Sequence, residues 1–347
     1  MSEARGAQPS IAVIVPNRND SRYLTRCLRS VLDQRAPPDE LIVVDDQSAD
    51  DSVALIRRLI VGRPGARLIE NAVNLGVDGA MAQGLKHARS EYVLFLASND
   101  FVLPGIFARA KHCIARAPGV GLWSAMAWMV DESDRPIRLH PSPVVSVSDA
   151  VLSPQRCIEL AHRLGNWFTG TSLIYRREAL DEAGRFNEAY MGLSDLVTAL
   201  IVASRHGAAF SPEPLCAIRM HTGSHLERTL ADAARLEKIV AAIAAHGSRA
   251  APSLFTPEFI ERMSRRFRFA SVRSSRSATL GPIAAACAGG TGRALRLADR
   301  LVPRMFPWLR VALAFLILRP FDLLSTFWYR MLGWALVRSR TRWPSSA

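Results

Sequence analysis

Three short polar runs carry most of the side chains in this sequence that could do chemistry. They are Pro16-Asn17-Arg18-Asn19-Asp20, Asp45-Asp46-Gln47-Ser48 and Ser98-Asn99-Asp100, each placed after a short apolar run. Asp and Asn oxygens are hard donors, and a divalent ion held by one or two carboxylates also takes the oxygens of a diphosphate. A carboxylate or amide beside them can read the base and ribose of a nucleotide. One acidic pair such as Asp45 and Asp46 can equally cap a following helix, so the weight rests on the joint occurrence of all three runs. No GxGxxG follows the first apolar run and no GxxxxGK[ST] occurs, which argues against dinucleotide redox chemistry and P-loop hydrolysis.

Such runs act together only if a scaffold brings them to one edge. In open α/β sheets ligands bind beyond the carboxyl ends of parallel strands. The sequence predicts that arrangement: strands at Ile11–Val15, Leu41–Val44, Arg67–Glu70 and Tyr92–Ala97 alternate with helices at Tyr23–Leu32, Ser52–Val61 and Gly76–Ala88. From 105 to 225 the pattern is less regular. A helix near Phe107–Ala117, a strand at Gly121–Val130, a loop rich in proline (Pro136, Pro141, Pro143) and a helix at Asp195–His206 are expected to supply the acceptor side. Beyond 225 a helical stretch Leu226–His246 should end at Gly247, Thr256-Pro257-Glu258 should start another helix, and Gly281–Gly292 reads as a loosely packed connection.

Taken together, IAVIVPNRND with LRSVLDQ, DELIVVDDQSADDS, NLGVDGAMAQGLKHARSEYVLFLASND, and GLSD with IRMH resemble the inverting family 2 glycosyltransferases over roughly residues 9–225. The resemblance implies an α/β GT-A fold, a mostly parallel sheet flanked by helices, over 1–225, with a C-terminal helical extension over 226–347. It also implies a UDP- or GDP-linked sugar donor, Mg²⁺ or Mn²⁺, and single displacement by a hydroxyl of a glycan or lipid-linked acceptor in polysaccharide biosynthesis. By position, Pro16, Asn17 and Arg18 would border the nucleobase, with Asp46 and Asp45 at the base or ribose. Asp100, with Asn99 beside it, would hold the metal, and His221 would lie near the metal and diphosphate. Asp195 would be the general base, a role that fits a sugar hydroxyl losing its proton as it attacks; without the resemblance it reads equally as an acid at a helix start. Trp167, Phe168 and Gly170 would form the wall facing donor sugar and acceptor, or else pack in the core.

The sequence departs from the family pattern in several places. The segment before the metal is Leu96-Ala97-Ser98-Asn99-Asp100 where the family has nearly LDxDD, so neutral residues replace two carboxylates. Arg18 stands for an aromatic, Met81-Ala82 for an Arg-Asn pair, and Ser194 for an acid. These changes keep a non-catalytic nucleotide-sugar-binding or assembly subunit as an alternative. A sugar-phosphate nucleotidyltransferase is a second, though PNRND lacks the glycine-rich loop it needs.

The chain has 347 residues, 49% hydrophobic and 22% charged, which excludes general disorder. Residues 1–225 carry 24 basic and 24 acidic side chains and residues 226–347 carry 20 and 7, so the whole net charge of +13 lies in the last third. A neutral fold domain argues against a nucleic-acid footprint. The basic segment, with Trp308, Trp328, Trp334 and Trp343 and an amphipathic pattern over Phe321–Val337, suits a membrane interface, or docking on the protein's own core or a second subunit. Val311–Leu318 falls short of the ~18 apolar residues of a spanning helix. Five scattered cysteines and a polar N-terminus predict a reduced cytoplasmic chain without structural zinc, peripheral on the inner face of the cytoplasmic membrane.

Overall fold

The alternating apolar runs of the first hundred residues fold, in the computed structural model, as successive strand and helix units. The structure describes residues 8–220, 229, 232–274, 280–287, 289–320, 322, 329, 331, 333–340 and 343. Strands β1 (Ile11–Asn17), β2 (Glu40–Asp45), β3 (Ala66–Glu70) and β4 (Tyr92–Phe95) alternate with helices α1 (Ser21–Leu32), α2 (Ser52–Ile60) and α3 (Gly76–His87). They pair in parallel in the order β3-β2-β1-β4, with Asn17 level with Asp45 and Ile14 level with Phe95. Both faces of β1 are covered, which is why its apolar residues run on without alternation. Ile11, Val13 and Val15 meet Leu24 and Leu28 of α1, while Ala12 and Ile14 pack with Ala80 and Leu85 of α3.

The second half adds β5 (Phe101–Val102), α4 (Ile106–Ala115), β6 (Leu122–Val130), β7 (Pro136–Leu139), β8 (Ala150–Leu152), α5 (Pro154–Leu164), β9 (Ile174–Arg176), α6 (Arg177–Glu182), α7 (Ser194–His206) and β10 (Ala208–Arg219). The sheet continues β4-β9-β6-β10-β5. It is mixed rather than mostly parallel: β9 runs antiparallel to β4 and β6, β10 is parallel to β6, and β5, β7 and β8 pair antiparallel. Pro136 opens strand β7 instead of lying in a loop, the first position of a strand being one that tolerates a missing N–H.

Helices α8 (Ala233–Ala250), α9 (Pro257–Ser274), α10 (Gly281–Ala286), α11 (Gly289–Leu301), α12 (Pro307–Leu318) and α13 (Gly333–Arg340) follow. Gly247 lies inside α8 rather than ending it, because burial of that helix outweighs the weak helix propensity of one glycine. Thr256 starts α9 as expected, its Oγ1 accepting the Phe259 N–H at 3.3 Å. Residues 281–286 and 289–292 are also helical, with Ile283, Ala284 and Cys287 buried against Leu295, Ala314 and Leu318. Leu236, Ile239, Ile243, Phe255, Phe259 and Met263 of the α8–α9 region share one core cluster with Leu160, Leu164 and Leu200 of the sheet domain. The core therefore continues across residue 225, and the α8–α9 region packs on the sheet domain. Of the amphipathic pattern expected over 321–337, Phe321, Leu324, Phe327, Trp328 and Leu332 lie outside the described residues. Among the described residues no helix is long and apolar enough to cross a membrane.

Candidate active site

Hydrogen bonds tie the polar runs together along the carboxyl ends of β1–β4. At the end of β1, the buried Asn17 amide donates to Asp45 Oδ1 (2.8 Å) and to Ser48 Oγ (3.2 Å). Ser48 in turn closes a turn on Asp45, its N–H reaching Oδ2 at 2.9 Å and its hydroxyl Oδ1 at 2.6 Å. Asp46 Oδ1 accepts the Asn71 amide (2.8 Å) and the Leu75 N–H (2.9 Å), which joins the loops after β2 and β3. Ser98 Oγ donates to Asp20 Oδ2 at 2.6 Å and joins the loops after β1 and β4. Pro16 is half-buried, whereas Arg18 is exposed at the outer rim. Asn17 Oδ1 is buried with no hydrogen-bond partner among the described residues, an unused acceptor at the end of β1.

Asp50, at the start of α2, braces this edge. Its carboxylate accepts the Ser21 N–H and the Ser52 N–H, both at 3.0 Å, holding the first turns of α1 and α2 together. Burial opposes ionisation there, but the bonds from Ser52 and Ser21 outweigh it and bring the Asp50 carboxyl down from 3.8 to about 2. A depressed carboxyl stabilises the fold above its unfolded pKa and loses that contribution as pH falls through the folded value. The difference in melting temperature between the native chain and Asp50→Asn should therefore be present at neutral pH and close as pH falls from about 4 to about 2. A thermal-melt series across that window checks it.

The two acids with the strongest chemical expectation flank one turn. Residues Gly170–Ser172 form a 3-10 turn before β9. Thr171 Oγ1 donates to Asp100 Oδ2 at 2.8 Å, and the Arg219 N–H, from the end of β10, reaches Asp100 Oδ1 at 2.8 Å. One residue earlier, a Cβ built on Gly170 would lie 2.6 Å from Asp195 Oδ2. Gly170 thus lets the backbone approach the Asp195 carboxylate, which a Cβ at this position would push aside. Asp195 is exposed and sits in the first turn of α7, beside the positive end of its dipole. Met191 just before it takes a left-handed backbone (φ 48°, ψ −132°), a conformation that costs a non-glycine residue energy and is found where a site demands it. Gly170→Ala should displace the Asp195 carboxylate and lower kcat by about 10²-fold with donor KM little changed; steady-state kinetics of the variant decides this.

Behind Asp100 lies a buried arginine. The Arg219 side chain donates to the carbonyl oxygens of Asn99 (2.8 Å), Glu132 (3.1 Å) and Asp131 (3.3 Å), pairs with Asp134, and stacks over Tyr23 at 4.4 Å. It fixes the Asn99–Asp100 backbone to the β6–β7 turn. Sequence reasoning singled out neither Arg219 nor Thr171, although Arg219 stands two residues before His221 and Thr171 directly after Gly170. The expectation for His221 lies outside the described residues. Trp167 and Phe168 are 1% and 3% exposed and packed on each other at 4.3 Å, so their rings are core rather than an open wall for a sugar. Of that expected wall, only Gly170 stands beside a candidate catalytic group.

Asp100 and Asn99 present one carboxylate and one amide at the strand end. Among the described residues no three His, Cys, Asp or Glu side chains converge as a ready-made metal cage. That donor set suits Mg²⁺ or Mn²⁺, which take one or two carboxylates and complete their shell with substrate phosphate and water. The five cysteines are buried free thiols.

The sequence model for Glycosyl transferase family 2 matches residues 12–110, which run from β1 through β4 into α4. An uncharacterized Mycobacterium tuberculosis protein is 31% identical over 230 residues, covering 63% of this chain and 69% of that protein. Other curated glycosyltransferases are matched over about half of their own length or less. Two solved structures share the fold. Staphylococcus aureus TarS 1–349, in complex with UDP-GlcNAc, has a TM-score of 0.55 at 16% identity and covers 90% of this chain and 91% of that one. The mannosyltransferase PcManGT of Pyrobaculum calidifontis, in complex with GDP-Man and Mn²⁺, has a TM-score of 0.55 at 19% identity and covers 97% and 88%. Both likenesses establish the architecture, a GT-A fold with C-terminal helices. With the family segment lying on the strands that carry Asn17, Asp45, Asp46 and Asp100, the chain belongs to glycosyltransferase family 2 and is an enzyme of that class.

Proposed function

We propose that the chain transfers a sugar from a UDP- or GDP-linked donor to a hydroxyl of a glycan or lipid-linked acceptor, with inversion at the anomeric carbon. The observation that carries this reading is the Gly170–Ser172 turn, whose consecutive residues touch Asp195 and Asp100. Asp195, exposed at the rim, takes the proton of the acceptor hydroxyl as its oxygen bonds the anomeric carbon and the bond to the diphosphate breaks. Asn17, with its buried unpartnered oxygen, and Asp46 face the nucleoside, and Arg18 lies over its open side. Asp100 and Asn99 would hold a divalent ion, which when bound neutralises charge on the departing diphosphate. The printed ligands of the two structural neighbours, UDP-GlcNAc and GDP-Man with Mn²⁺, are compatible with this assignment. Incubation of the full chain with UDP- and GDP-sugars, Mn²⁺ and a membrane lipid extract, read by mass spectrometry, should yield a product heavier by one glycosyl unit and of inverted configuration. A product of retained configuration would overturn the single-displacement mechanism.

The same proposal places the enzyme in a reducing compartment, on the inner face of the cytoplasmic membrane. Leu301, Met305 and Trp308 are 69%, 76% and 68% exposed at the junction of α11 and α12, with Arg300 just before them and Arg304 among them. Apolar side chains interleaved with cations suit an anionic bilayer surface. Co-sedimentation with phosphatidylglycerol vesicles should be strong for the native chain and lost in a Leu301→Glu, Met305→Glu, Trp308→Glu variant; equal binding refutes the surface.

A further inference from the structure

A cleft of about 250 Å³ lies where the sheet domain meets the C-terminal helices. Leu196 and Leu200 of α7 line it on one side, Leu196 being the residue directly after Asp195. Phe259, Met263 and Phe269 of the α9 helix continue the apolar wall. Arg266, Arg273 and Arg319 also line the cleft, and among the described residues no Asp or Glu does.

Behind the lining stands one counter-charge. Asp322 accepts from Arg266 Nε (3.0 Å) and Nη2 (2.7 Å) and from Arg319 Nε (2.6 Å). Burial would raise its carboxyl, but Arg266 and Arg319 hold it below the ordinary carboxylate value. Burial lowers Arg319, and the neighbouring Arg266 and Arg273 add to that effect against the pull of Asp322. Among the described residues, the three arginines that line the cleft share one carboxylate, Asp322, which leaves an excess of positive charge beside apolar walls. Arg266 Nη1 is buried without an acceptor among the described residues, and it packs so closely on Gly165 that a Cβ there would lie 2.2 Å from it. Arg273 is exposed and reaches the cleft from the last turn of α9. A guanidinium cluster of this kind matches a phosphate, which takes paired N–H donors and offsets the excess charge.

We propose that this cleft is an acceptor subsite for a phosphate that carries an apolar chain, the arginines holding the phosphate and the α7–α9 wall the chain. The proposal rests on the transferase reading, because it sets the acceptor's anchoring group beside Asp195 while a separate hydroxyl of that acceptor reacts.

Decyl phosphate, kept below its micelle concentration, serves as the probe for the full chain, with binding followed by calorimetry. Binding is expected for the native chain and should weaken about tenfold in Arg273→Gln, the loss of one charge-assisted contact. Ala270→Phe, which fills the cleft, should weaken it as much, and unchanged melting temperatures show that neither variant unfolds. No binding to the native chain, or equal binding to both variants, overturns the subsite. Inorganic phosphate binding as tightly as decyl phosphate overturns the lipid source, and decyl maltoside binding as tightly overturns the role of the arginines. Nucleotide-sugar binding measured on the same samples separates the two readings. A chain that binds decyl phosphate but no donor keeps the phosphate site but loses the transferase function and with it the acceptor role, and one that binds donor but no decyl phosphate loses the subsite alone.

Discussion

Asp195→Asn should lower kcat by about 10²- to 10⁴-fold while leaving donor affinity within about twofold, the range expected when a general base is removed. The substitution keeps the shape of the side chain beside Gly170, where a Cβ would come within 2.6 Å of Oδ2, so the turn has no reason to move. Asp195 is exposed in the first turn of α7. A merely structural acid at a helix start predicts a different outcome, a lower melting temperature with kcat retained. Donor binding by calorimetry together with single-turnover rates distinguishes the two. Full turnover in the Asn variant would remove Asp195 from the mechanism.

Asp100→Asn should reduce kcat/KM by on the order of 10²- to 10³-fold, the scale on which loss of one charge-stabilising group acts at a reacting centre. Asp100 is buried, with one oxygen taking the Thr171 hydroxyl and the other the Arg219 N–H. An amide cannot accept at both positions, so some loss of stability accompanies the variant. The readout that isolates its proposed role is the Mn²⁺ dependence: the concentration needed for half-maximal nucleotide-sugar binding should rise at least tenfold. A variant that melts earlier but keeps the native Mn²⁺ dependence would make Asp100 a purely structural brace for Thr171 and Arg219.

Much of the first hundred residues was legible because β1, β2 and β4 each carry a continuous apolar run followed by a polar one. Burial on both faces of a parallel sheet produces that pattern locally, and the strand ends at Asn17, Asp45 and Asp100 follow from it. The second half is written in long-range pairings. β8 and β9 have three residues each and owe their existence to β10, β4 and β6, so no local window reveals them. Thr171 and Arg219 acquire roles only once β9 and β10 bring them to Asp100 from 71 and 119 residues away. Trp167 and Phe168 read as a ligand wall because aromatic residues near a glycine suit either a sugar or a core, and their burial decides for the core. The charge asymmetry at residue 225 suggested a C-terminal helical extension that meets a membrane or docks on the protein's own core or a second subunit. Leu236, Ile243 and Phe259 dock on that core, in one cluster with residues of α5 and α7.

The central claim, that this edge of the sheet holds a nucleotide-sugar through Asp100 and a divalent ion, is tested most directly by calorimetric titration of the full chain with UDP- and GDP-linked sugars. The account predicts saturable binding of at least one donor that strengthens with Mn²⁺ or Mg²⁺ and loses that strengthening in Asp100→Asn. Absence of binding to every such donor with either cation present would contradict it.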